Sequence, residues 1–462
     1  LRKRLNQVSR ANGAVNSEES GFIFNVFVLS FHPMTAFPAT VIADSKGRIT
    51  DRPELAAAGR SGRAIHPIDP ARLIPLPESS RLYLLPGRRA LGFNAKGTIA
   101  PVDNDHVAVA AFLPPGYVTL SLAAFETDKT APLLPLFCYC AVCWHRGKFH
   151  VPAFRVDHDP KHDLSRFDMK KVHREIRRWI RKFPANRLVA HHGLACVKEY
   201  GCPNAANLFL QRWEAPVAVS GGCNASCQGC ISKQNSTSIQ APQARIGFVP
   251  TVEEIIEIAV PHLNKAPRAM ISFGQGCEGE PLLKGGLIEA AIRAIRKRTK
   301  RGTIHLNTNG SMPEVVERLA AAGLDSIRIS LNSARPALYA AYYRCRSYSF
   351  DDVLKSFHIA RKAGVWISIN YLTFPGVTDD PAEYKAFSRL LEKTTPQMIQ
   401  WRNLNIDPDW YMDTVDRACP EQCRRACPAK CQKPMGITPL MQHIHRQFPK
   451  INFGYFNFPP PV

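Results

Sequence analysis

From residue 215 to residue 404 the chain alternates between short apolar, β-branched runs and longer stretches whose apolar residues recur at helical spacing. The runs cover 215–219, 269–273, 303–308, 326–331, 365–371 and 398–404, and the helical stretches cover 252–264, 284–298, 313–322, 350–363 and 381–391. Strands joined through helical crossovers pair in parallel, because each crossover returns the chain in the direction it came from. The predicted fold class is therefore α/β, with a partial (β/α)6 TIM-like barrel over 215–410. Chemistry in such a barrel belongs to the loops at the carboxyl ends of the strands.

The flanks read differently. Residues 1–135 show apolar runs broken by Gly and Pro, with strands expected over 22–30, 40–43, 81–85 and 107–113 and a surface loop around 58–64, which together make a β-rich N-terminal domain. Residues 136–214 form a Cys/His-rich connecting segment with a helix at 170–182. There Val172, Ile176, Trp179 and Ile180 share one face, opposite Lys171, Arg174, Arg178 and Arg181. Residues 411–462 are a Cys-rich C-terminal extension.

With 45% hydrophobic and 21% charged residues, a chain of 462 residues can bury a real core. No apolar run reaches the roughly 18 residues of a membrane span, and the basic N-terminus has no apolar stretch behind it, so a cytoplasmic protein with no membrane partner is expected. The first residue is Leu1 and not Met, as expected of an incomplete copy of a longer product. The formal charge of +22 is concentrated in 161–182, 284–301 and 416–462, a field that attracts nucleic acid or other anionic partners, although each stretch alone also reads as a solvated helix face.

Fourteen cysteines are many for such a chain, and all but Cys277 and Cys345 are clustered. A large chain with its own core needs no disulfide staples, so the clusters point to thiolate ligands for iron or zinc in a reducing compartment. The loop after the first barrel strand carries Cys223-x3-Cys227-x2-Cys230. Three thiolates on one loop can ligate three irons of a cubane cluster and leave the fourth open; a zinc knuckle completed by a distant ligand is the alternative.

With Gly279-Glu280-Pro281 after the second strand, Asn307 and Asn309 after the third, and Ser330 and Asn332 after the fourth, the stretch 216–405 resembles the radical S-adenosylmethionine superfamily. The resemblance implies a 4Fe-4S cluster on Cys223, Cys227 and Cys230, and S-adenosyl-L-methionine held through Gly279, Glu280, Pro281, Asn307, Asn309, Ser330 and Asn332. It also implies reductive cleavage to a 5′-deoxyadenosyl radical, anaerobic chemistry, and a one-electron donor such as flavodoxin or ferredoxin. Members usually have an aromatic residue just before the third Cys. Gly229 stands there, so adenine packing is expected from Tyr371 or Trp401.

Cys277 and Cys345 are candidate catalytic thiols, with inert buried cysteines as the plainer reading. Cys419, Cys423, Cys427 and Cys431 are spaced for an auxiliary Fe-S cluster or zinc, since Pro420 and Pro428 break the helix that would spread them apart. Cys138, Cys140 and Cys143, with His145, His150, Cys196 and Cys202 near in sequence, form a possible further metal site. The expected activity is radical modification of a macromolecule, RNA or a peptide or protein. A zinc or iron-sulfur nucleic-acid-binding protein and a glycyl-radical activase are the alternatives.

Overall fold

A computed structural model describes residues 27–30, 37–234, 238–419 and 433–458. Its C-terminal half is a parallel sheet of seven strands in strictly sequential order: β1 (Glu214–Pro216), β2 (Met270–Phe273), β3 (Thr303–Thr308), β4 (Ser326–Leu331), β5 (Trp366–Thr373), β6 (Met398–Asn403) and β7 (Asn452–Gly454). Every neighbouring pair is parallel, and β1 and β7 remain the open edges, so the sheet is a half-barrel. Its helices among the described residues are α1 (Val252–Lys265), α2 (Gly285–Arg298), α3 (Pro313–Ala322), α4 (Pro336–Tyr343), α5 (Phe350–Lys362), α6 (Pro381–Thr394), α7 (Pro408–Ala418) and α8 (Ile437–Gln447). Their starts are written in the sequence. Thr251 and Glu254 form a capping box on α1, while Asp380 and Asp407 cap α6 and α7 ahead of a proline at the first helical position.

Two elements escaped the six-strand expectation. β7 comes from the C-terminal extension and pairs with β6 through Asn452, Phe453 and Gly454, a run too short and too polar to show a period. Helix α4 is almost wholly apolar, and such a segment has no amphipathic stripe to read.

Strand residues alternate between two unlike faces. Ile304, Leu306, Ile327, Ile329, Ile367, Ile369, Ile399 and Trp401 are buried in the main hydrophobic core under the helices. His305, Asn307, Arg328, Ser330, Asn370 and Gln400 take the alternate positions, facing the inside of the half-barrel. That interior is a polar network. Glu214 accepts hydrogen bonds from Ser272 (2.5 Å), Gln275 (3.0 Å) and Asn457 (2.6 Å), and Arg328 donates to Gln400 (3.0 Å) and Asn457 (3.1 Å).

Among the described residues, the N-terminal sheet has fifteen strands and is antiparallel except where Phe27–Ser30 lies parallel to Arg48–Ser61. It continues past residue 135 through Cys140–Ala141, Cys143–His145 and Lys148–Arg155. The stretch 58–64, expected to be a loop, is instead the tip of a hairpin in which Arg48–Ser61 pairs with Ala64–Pro67. The arginines that suggested a surface loop dock the sheet on the barrel. Arg60 pairs with Asp409, Arg63 pairs with Asp416 at 3.1 Å, and Arg88, 2% exposed, pairs at 2.8 Å with the fully buried Asp407. Helix Met169–Lys182 forms as expected, with Val172, Ile176 and Trp179 buried and its basic face outward.

Candidate active site

Cys223, Cys227 and Cys230 follow β1 and line one cavity of about 380 Å³ at the carboxyl ends of the strands. Lys233, Arg245, Arg344, Arg346 and Trp410 also line it. Arg245 donates to the Cys230 sulfur at 3.4 Å, and the Ser232 hydroxyl lies 3.5 Å from it. Burial pushes the Cys230 thiol up, but the hydrogen bonds from Ser232 and Arg245 and the Arg245 charge outweigh it and hold this thiol below its ordinary value. Burial leaves the Cys223 thiol raised, and burial with the neighbouring Cys230 raises Cys227. Four cations around three thiols favour the thiolate set that a metal cluster needs.

The Gly279-Glu280-Pro281 loop is stitched to the cysteine loop through backbone. Gly279 N–H donates to the Ser220 carbonyl at 2.6 Å and Glu280 N–H donates to the Gly222 carbonyl at 2.8 Å. A Cβ at Gly279 would lie 1.9 Å from the Gly222 oxygen, so the approach needs glycine. The Glu280 carboxyl is buried and accepts from Thr308 Oγ1 (2.5 Å), Asn309 N–H (2.8 Å) and Leu282 N–H (3.0 Å). Burial pushes it up to about 7. Asn309 donates in turn to Asn224, inside the cysteine loop, at 2.9 Å. Loops after three successive strands thus form one bonded layer.

Asn307 and Ser330 lie on the interior face. Asn307 Oδ1 is 2.9 Å from His305 Nε2, and the Ser330 hydroxyl accepts from Asn370 at 3.0 Å. Asn332 is turned away, donating to the Leu338 carbonyl and the Tyr411 hydroxyl, both at 3.2 Å. Tyr371 and Trp401 do not meet the adenine expectation: both are fully buried on the helix side, where Tyr371 stacks on Phe387 at 4.0 Å. Tyr342 of α4 occupies the space beside Gly229, where a Cβ would come within 2.9 Å of its hydroxyl oxygen.

A profile of the radical SAM superfamily matches residues 217–386. This stretch of the chain is a radical SAM domain. Among curated relatives, GTP 3′,8-cyclase of Streptomyces coelicolor is 29% identical over 168 residues, covering 36% of this chain and 46% of the relative. The FeMo cofactor biosynthesis protein NifB of Azotobacter vinelandii is 24% identical over 177 residues, 36% of this chain and 35% of that protein. The chain thus spans about half the length of the first relative or less. A radical SAM methyltransferase from Sphaerobacter thermophilus is 18% identical with a TM-score of 0.34, over 46% of this chain and 64% of the other.

Among the described residues, the remaining cysteines lie outside the lining of this cavity. Cys138, Cys140 and Cys143 sit in three different hydrophobic clusters. Their sulfurs lie near Thr119 Oγ1 (3.4 Å), the Pro152 carbonyl (3.9 Å) and the His150 carbonyl (3.5 Å), and although Cys140 feels the charge of the other two, the three do not converge as a metal-binding group. Cys345 is half-buried and Cys277 is buried, and neither lines the cavity. Cys419 ends α7, whereas Cys423, Cys427 and Cys431 fall outside the described residues.

Sequence reasoning missed the barrel-interior set His305, Arg328, Asn370 and Gln400. Burial draws His305 down to about 4, and burial together with the Arg402 charge draws Arg328 down to about 9. Burial pushes Glu214 up, but the Lys161 charge and its hydrogen bonds hold it at about 2. The signal was present in Ile-His-Leu-Asn, Ile-Arg-Ile-Ser and Ile-Ser-Ile-Asn, where period-two alternation in parallel strands marks a polar inner face. Among the described residues, no helix is long and apolar enough to cross a membrane.

Proposed function

We propose that this enzyme cleaves S-adenosylmethionine reductively, with Cys223, Cys227 and Cys230 holding a 4Fe-4S cluster. The observation that carries the reading is the convergence of the three thiols on one cation-lined cavity, bonded through backbone to the Gly279-Glu280-Pro281 loop. The donor set suits a cubane cluster with one iron left open to the amino and carboxylate groups of the methionine moiety. When bound, the cluster supplies the electron that splits the cofactor into methionine and a 5′-deoxyadenosyl radical.

The chain's own residues then have definite tasks. Arg245 holds the Cys230 thiolate, while Lys233, Arg344 and Arg346 offset the charge of the ligand set. Glu280 is poised to receive the cofactor's ammonium, which would draw its buried carboxyl back to the charged form. Asn370 Oδ1 and Arg328 Nε are buried on the inner face without a partner, and unpartnered polar atoms there suit a polar ligand. Tyr342, beside Gly229, stands in for the missing aromatic.

The substrate is proposed to be a macromolecule. The cationic wall and the charge of +22 favour RNA over a peptide, and they also favour an acidic one-electron donor of the flavodoxin or ferredoxin kind. The test is electron paramagnetic resonance on the anaerobically reconstituted, dithionite-reduced protein. The cluster signal should change on adding S-adenosylmethionine, and an unchanged signal would reject an open iron.

A further inference from the structure

A second convergence of thiols and imidazoles lies behind the motif loop. One ligand atom from each of His191, His192, Cys196 and Cys277 lies within 4.8 Å of each of the others. His192 is fully buried, Cys196 and Cys277 are 1% and 5% exposed, and His191 is half-buried. The first three come from a π-helix, His191–Glu199. Its hydrogen bonds reach back five residues, so His191 and Cys196, which an α-helix would turn apart, stack on one face with His192 beside them. Cys277 arrives on a separate loop, two residues before Gly279.

The chemistry of the group is that of a closed metal site. Two thiolates and two neutral imidazoles carry two negative charges, which a divalent cation cancels, so the buried assembly is neutral overall. Two sulfurs and two nitrogens in tetrahedral reach select zinc, and four protein ligands leave no position open for substrate. The Cys196 sulfur is already 3.7 Å from His192 Nδ1. Without a cation, Nε2 of both histidines is buried and has no hydrogen-bond partner.

We propose that His191, His192, Cys196 and Cys277 bind one zinc ion that ties the π-helix of the connecting segment to the loop bearing Gly279-Glu280-Pro281. The ion is structural and does not depend on whether the chain cleaves S-adenosylmethionine. It fixes Cys277, whose carbonyl accepts from Ile246 N–H at 2.8 Å, and through it the adjacent Glu278, which accepts backbone hydrogen bonds from Val219 (2.8 Å) and Ser220 (3.1 Å) at the start of the cysteine loop.

The test uses the full chain with Cys419, Cys423, Cys427 and Cys431 changed to Ala, so that those thiols cannot compete. Expressed with zinc and iron available, it should carry about one zinc per chain, with X-ray absorption showing two sulfurs at ~2.3 Å and two nitrogens at ~2.0 Å. Adding Cys196→Ser and Cys277→Ser should lower the zinc at least tenfold. A folded double-Ser variant that keeps its zinc overturns the proposal. Should that variant not fold, the parent still decides: no zinc, a shell of four sulfurs, a shell without sulfur, or iron in place of zinc also overturns it.

Discussion

Gly279→Ala tests how the two motif loops are held together. The added Cβ would sit 1.9 Å from the Gly222 oxygen and 2.6 Å from its carbonyl carbon, against a practical floor of 3.0 Å, so the loops must part by about 1.1 Å. Both obstacles are backbone and cannot rotate away. Parting them strains the hydrogen bonds from Gly279 to Ser220 and from Glu280 to Gly222. Overpacking costs about 1–3 kcal/mol and each of the two weakened hydrogen bonds about 1 kcal/mol, a total of roughly 3–5 kcal/mol. The shift is passed directly to Cys223, and a misplacement of ~1 Å at a reacting centre costs on the order of 100-fold in rate. The assay follows 5′-deoxyadenosine release, iron content and the urea midpoint side by side. Gly286→Ala is the control: it lies in α2 with nothing within 4 Å of its added Cβ, so a gain of about 0.5–1 kcal/mol and an unchanged rate are expected. Wild-type stability and rate in Gly279→Ala would refute the stitched-loop account.

Arg88→Ala leaves the buried Asp407 charge uncompensated and should cost about 3–5 kcal/mol, read as a lower urea midpoint; a change under ~1 kcal/mol would mean the sheet does not dock through this pair. Burial raises Glu280 from 4.5 to about 7, so the stability it contributes is complete below about pH 4.5 and is lost as pH rises through about 7. Glu280→Gln should therefore flatten the fall in thermal midpoint between about pH 4.5 and pH 7, and an unaltered slope would remove Glu280 from the explanation. Replacing Cys419, Cys423, Cys427 and Cys431 by Ala should lower reconstituted iron from ~8 to ~4 per chain if they hold an auxiliary cluster, whereas an unchanged iron count excludes one.

Much of the barrel was legible because its signals are local. Strands β3 and β4 and helix α3 fall where apolar spacing and flanking Pro or Gly put them. The cysteine and Gly-Glu-Pro loops were legible for a different reason, since the residues of each motif are close in sequence as well as in space. What stayed hidden depends on distant partners. β7 is defined by its register against Met398 and Ile399, and Arg60 reads as a loop residue until Asp409 arrives from 349 positions away. Tyr371 and Trp401 were misplaced because an aromatic at a strand end does not reveal which face it takes until the helices are docked. The grouping of His191, His192, Cys196 and Cys277 is hidden for both reasons, needing a π-helix and a loop some eighty residues downstream.

The most direct test is quantitation of 5′-deoxyadenosine and methionine from S-adenosylmethionine, using anaerobic, fully reconstituted protein with dithionite. The wild-type chain should release the two products in equal amounts, and the variant with Cys223, Cys227 and Cys230 changed to Ala should remain folded but release neither. Equal product from that variant, or none from a wild-type sample carrying its full complement of iron, would contradict the assignment of these thiols to a cofactor-cleaving cluster.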